Sequence, residues 1–77
     1  MKHYITGYDK ITERMVFQLE IPKSYLPQLF KIMNWQEEED QIYVYNLTAP
    51  QVTEIAAWLN TTLDPDAYIF QHDCFVE

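Results

Sequence analysis

Two groups of side chains have the types and spacing that chemistry could use: the run Glu37-Glu38-Glu39-Asp40, and the set His3, His72 and Cys74. Neighbouring carboxylates do general acid–base work only where an apolar pocket pushes one pKa upward. Four in a row behind Trp35-Gln36 repel one another, so they stay in water and read as a loop projecting negative potential. His72-x-Cys74 sets two potential metal ligands on one face of a strand, with His3 a conceivable third. A zinc centre uses four ligands, or three and a water, so an ordinary half-buried histidine and cysteine is the stronger reading. Ser24 has no histidine near it in sequence, and no nucleophile–base pair is visible. The single glycine, Gly7, excludes a phosphate-cradling glycine loop. The expectation is a protein with no catalytic residues, no metal and no cofactor.

Charge and aromatic surface remain. Five Lys+Arg oppose twelve Asp+Glu, for a formal net charge of −7 and a pI near 4.5. All five cations, Lys2, Lys10, Arg14, Lys23 and Lys31, precede residue 32, which leaves residues 32–77 an uninterrupted anionic half. Such a half suits a basic protein partner and opposes nucleic acid and anionic membranes. Glu37, Glu38, Glu39 and Asp40 are the candidate electrostatic element, and Asp64 and Asp66 are a second acidic contribution. Trp35, Tyr43 and Tyr45 are candidate anchors, because aromatic groups beside charge make interface hot spots. The competing readings are a solubilising loop for the acidic run and, for Trp35, a contact with Phe30 at a helix end.

Seventy-seven residues make a single domain, 1–77, with a radius of gyration of roughly 11–12 Å. Apolar residues at 48% and aromatics at 16% mark a folding chain, not an acidic disordered tail. No segment approaches the ~20 apolar residues of a membrane span. Met1 to Gly7 lacks the apolar run of a signal peptide, and one cysteine forms no internal disulfide. A cytoplasmic location is expected.

The elements that must position these groups follow from periodicity. Residues 2–8 read as a strand, and Met15, Phe17, Leu19 and Ile21 alternate with other residues at period two, with residues 9–14 closing a hairpin. Pro22 stops pairing. Ser24 is a plausible N-cap for a helix whose Leu26, Leu29, Phe30 and Met33 lie on one face, and Asn34 ends it. Residues 41–47 read as a third strand. Thr48 and Gln51 then form a capping box, with Leu47 and Val52 as a hydrophobic staple and Val52, Ile55, Ala56 and Leu59 as the buried stripe. Asn60-Thr61-Thr62 ends that helix, residues 63–66 turn, and residues 67–76 read as a last strand.

The order ββαβαβ predicts an α+β fold: a four-stranded, mainly antiparallel sheet with both helices on one face. Alternation sends Ile5, Phe17, Leu19, Ile42 and Val44 toward the helices and Tyr4, Tyr8, Val16, Tyr43 and Tyr45 to an uncovered face. That face is either an interface or a set of cross-strand tyrosine pairs.

The segment Tyr45-Asn46-Leu47-Thr48-Ala49-Pro50-Gln51, then Leu59, Leu63-Asp64 and Tyr68-Ile69-Phe70, resembles a family of small bacterial proteins. Some of that family are encoded beside polymorphic or contact-dependent growth-inhibition toxins as their cognate immunity proteins. Weaker echoes lie in Gly7-Tyr8-Asp9-Lys10 and Ile21-Pro22; the chain departs at Ile11-Thr12-Glu13, where a hairpin glycine is expected. The resemblance implies an immunity protein that binds a cognate basic toxin domain, a nuclease first among candidates, and occludes its active or substrate-binding surface. When free, the chain is expected to be a monomer or weak homodimer. The resemblance carries over no contact residues, since such proteins vary them to match one toxin. The alternatives are a small acidic regulatory or adaptor module, a nucleic-acid mimic binding another basic protein, or a subunit that dimerises through the tyrosine face.

Overall fold

The period-two run folds into β2 (Met15–Ile21), joined by a tight hairpin to β1 (Lys2–Asp9). The computed structural model describes residues 1–76. The hairpin is built without glycine. The Asp9 carboxylate accepts from the amides of Ile11 and Thr12 at 2.8 and 2.9 Å, and Glu13 takes the left-handed conformation, φ 61°. The Asp9 carboxylate thus satisfies loop amides, and those bonds hold its pKa below the usual carboxylate range. Gly7 serves elsewhere: a Cβ there would stand 2.5 Å from the Phe17 ring, which lies across the glycine.

Pro22 ends β2, and Lys23–Tyr25 makes one 3-10 turn before α1 (Leu26–Met33). Ser24 sits in that turn and does not cap the helix; Tyr25 holds the N-cap position without a side-chain bond. Pro27, in the first turn, has no amide hydrogen to satisfy. Asn34 ends α1 at φ 56°, and the Trp35 amide donates to the Phe30 carbonyl at 3.0 Å.

The α2 helix (Ala49–Trp58) carries the expected capping box: the Gln51 amide donates to Thr48 Oγ1 at 3.4 Å and the Thr48 amide to Gln51 Oε1 at 2.9 Å. Gln51 Nε2 also donates to the Ile32 carbonyl at 3.1 Å, tying the start of α2 to the end of α1. Thr48→Ala should therefore cost about 0.5–2 kcal/mol in urea unfolding. A loss below about 0.3 kcal/mol would leave the cap without weight.

The sheet order is β2-β1-β4-β3, antiparallel throughout. β4 (Tyr68–Phe75) is central and pairs with all of β1, from Lys2↔Phe75 to Asp9↔Tyr68. Both helices cover one face, where Leu29, Val52 and Ile55 meet Ile5, Ile21, Trp35 and Phe70. The fold is the expected α+β class, with a radius of gyration of 11.8 Å. Among the described residues no helix is long and apolar enough to cross a membrane.

The third strand differs from expectation. Only Tyr45–Asn46 (β3) pairs, with β4, because Glu38–Ile42 is taken up by a 3-10 turn. Ile42 and Val44, expected to face the helices, are 49% and 61% exposed. Tyr45 reverses too, lying opposite His72 in register and packing on the core side. On the uncovered face Thr6 Oγ1 donates to Asp73 Oδ2 at 2.6 Å and accepts from Gln18 Nε2 at 3.2 Å. A polar cluster therefore interrupts what alternation predicted as a tyrosine surface.

Candidate functional site

The acidic run divides into two parts. Asp40 Oδ2 accepts from the amides of Gln36 and Glu37 at 2.8 and 3.0 Å, and the Glu37 side chain accepts from the Asp40 amide, closing a reciprocal cap. Those amides hold the Asp40 pKa below the usual carboxylate range. Glu38 and Glu39 take no part in the cap and project from the turn, exposed. Beside them Ile42, Tyr43 and Val44 form an exposed apolar stretch, Tyr43 at 58%. The run is thus a built turn, where a uniform loop was expected.

Gln41 points the opposite way, into the interior. Its Oε1 accepts from His3 Nε2 at 3.0 Å, and His3 Nδ1 meets His72 Nε2 at 2.9 Å. With the Gln41 carbonyl as acceptor, His3 carries its proton on Nε2, so His72 donates through Nε2. Both rings are buried, His72 completely. Burial first, and then His3, push the His72 pKa down to about 4, against the Tyr43 backbone and Asp73. Burial likewise lowers His3, opposed by Gln41 and assisted by the amino terminus.

Trp35 closes the cluster, its ring centroid 5.0 Å from His72, 6.0 Å from His3, 5.0 Å from Phe30 and 5.7 Å from Tyr45. Trp35 Nε1 and His72 Nδ1 are buried with no hydrogen bond of ordinary geometry. The Trp35 side chain interacts with the Tyr45 hydroxyl, and His72 with the Tyr43 backbone. Tyr45 in turn donates its hydroxyl to the Asp40 carbonyl at 2.5 Å.

The predicted contact residues are therefore only partly together. Glu37, Glu38, Glu39, Asp40 and Tyr43 share one surface. Trp35, 8% exposed, and Tyr45, half-buried, support that surface from beneath and do not present their rings to solvent. Asp64 and Asp66 lie elsewhere. Asp64 accepts from the Asp66 amide at 2.9 Å, and Lys10 donates to the Asp66 carbonyl at 2.5 Å, beside the β1–β2 hairpin. The acidic turn meets β1 at His3, so the two acidic groups sit at opposite ends of that strand, roughly 20 Å apart.

Of the three potential metal ligands, His3 and His72 meet, while Cys74 turns to Met1, Sγ to Sδ 3.5 Å. Among the described residues no three His, Cys, Asp or Glu side chains converge. The His3–His72–Gln41 chain was not foreseen. Its one signal in the sequence is that His3 and His72 occupy the same alternation faces as Ile5 and Phe70.

A family model described as a domain of unknown function (DUF7683) matches residues 2–72. No curated protein and no solved structure matches the chain.

Proposed function

The chain belongs to the DUF7683 family of domains of unknown function, and from that premise we propose that it acts by binding, as an immunity-type protein that neutralises a basic toxin domain. The observation that carries this proposal is the acidic turn. Glu38 and Glu39 stand at the tip of a segment capped by Glu37 and Asp40 and plugged into the core by Gln41, beside exposed Ile42, Tyr43 and Val44. A charged surface already ordered before binding loses little entropy on docking. A nuclease must attract phosphate, so it carries Lys and Arg around its active site, and a −7 protein is suited to occupy that surface. Steering of opposite charges raises association toward on the order of 10⁸ M⁻¹s⁻¹ at low salt. Tyr43 and its apolar neighbours then slow dissociation. The mechanism requires no catalysis and places the protein in the cytoplasm, where such a toxin would act.

The direct test is growth rescue. The reading requires a toxin gene beside this chain's gene; coexpression should then restore growth to cells producing that toxin domain, and the purified proteins should bind. Glu38→Gln combined with Glu39→Gln should slow association several-fold and flatten its salt dependence, with the unfolding midpoint unchanged. An unaltered association rate throughout a salt titration would reduce the turn to a solubilising feature. Tight binding to a basic protein without any toxin activity would favour the adaptor reading.

A further inference from the structure

We propose that the His3–His72 pair is an acid-operated latch: its neutral form holds residues 37–43 against the sheet, and its protonation releases them. Two hydrogen bonds fasten this segment: Gln41 accepts from His3, and the Tyr45 hydroxyl donates to the Asp40 carbonyl. The first runs through an imidazole, and the Tyr43 backbone lies beside the second imidazole, His72. Between His3 Nδ1 and His72 Nε2, 2.9 Å apart, there is room for one proton only. The next proton must go to His72 Nδ1, which is buried, and there it creates a charge cut off from water. A further one sets two N–H groups against each other.

The Tyr43 backbone and Asp73 favour a proton on His72, but burial and His3 outweigh them. The amino terminus beside His3 repels a cation. The Asp73 carboxylate is on the other face of the sheet, bonded to Thr6. Tyr45 offers a ring and a hydroxyl already bonded to Asp40, and Cys74 faces Met1. Asp40 turns its carboxylate to the amides of Gln36 and Glu37. The helices contribute the apolar Leu29, Val52 and Ile55. Water reaches His72 most cheaply if the covering segment lifts, since that segment is followed by a strand of only two residues while β1 and β4 pair over eight. Asp40 keeps its capping charge to lower pH because its pKa is depressed, so the histidines act first as acid is added.

Amide exchange of the full chain, corrected for intrinsic rates, tests this. Between pH 7 and about pH 5, exchange in residues 37–43 should rise at least ten-fold, and amides of β1 and β4 several-fold less. Trp58→Phe leaves Trp35 as the sole tryptophan, and its emission should shift to the red over the same interval. Equal acceleration in the segment and the sheet, or none in the segment, overturns the latch. His72→Gln, if its circular dichroism is native, should abolish the acid response, and a folded variant that retains it overturns the proposal as well. Should that variant fail to fold, the wild-type comparison decides alone.

Discussion

Trp35→Ala should destabilise the fold by about 3–5 kcal/mol, the usual cost of removing a large buried aromatic. A chain of 77 residues has on the order of 4–10 kcal/mol of stability in total, so this variant stands at the edge of folding. The physical cause is position. Trp35 lies 8% exposed among Phe30, Tyr45, His3 and His72, and its removal opens a cavity under the acidic turn. Tyr43→Ala, on the exposed side of the same segment, should change stability by no more than about 0.5 kcal/mol. Urea unfolding of the two variants distinguishes a supporting residue from a surface anchor. If Trp35→Ala unfolds within about 1 kcal/mol of the wild type, the indole is not a core element.

Acid should weaken the fold well above the carboxylate range. His72 has its folded pKa pushed down to about 4 by burial, against about 6.5 in an unfolded chain. Between those values the unfolded state binds a proton that the folded state refuses. Stability is therefore complete above about pH 6.5, falls as the pH drops, and levels off for this group near pH 4. At 1.36 kcal/mol per pH unit the loss approaches about 3 kcal/mol for His72 alone. His3, shifted in the same direction by burial, adds to it. Asp9 and Asp40 have depressed pKa values, so their contributions disappear only at lower pH. Urea midpoints measured from pH 7 to pH 4.5 check this, and a flat profile would mean that water reaches His72 in the folded protein.

Most of the secondary structure was legible because its causes are local. Alternation in Met15–Ile21, the stripe of Leu26, Leu29, Phe30 and Met33, the Thr48–Gln51 box and the left-handed Asn34 each act within one turn or strand. The third strand was misjudged for a local reason as well. The reciprocal cap between Glu37 and Asp40 starts a 3-10 turn that uses up the residues expected to pair. The acidic run looked like four equivalent charges, and nothing in a row of carboxylates tells which of them will bond a neighbouring amide.

The amino-acid sequence by itself determined the α+β class, both helices and the imbalance of charge, since propensity, capping and net charge depend on residues close together or merely on their number. Only the tertiary structure decided that β4 enters beside β1 in the middle of the sheet. That pairing brings positions 3 and 72 together, turns Gln41 inward to join them, and puts Trp35 and Tyr45 beneath the acidic turn when spacing had suggested surface anchors. The reason is that strand order answers to the burial of a whole face at once. Contacts between residues 69 positions apart leave no periodic trace in either segment.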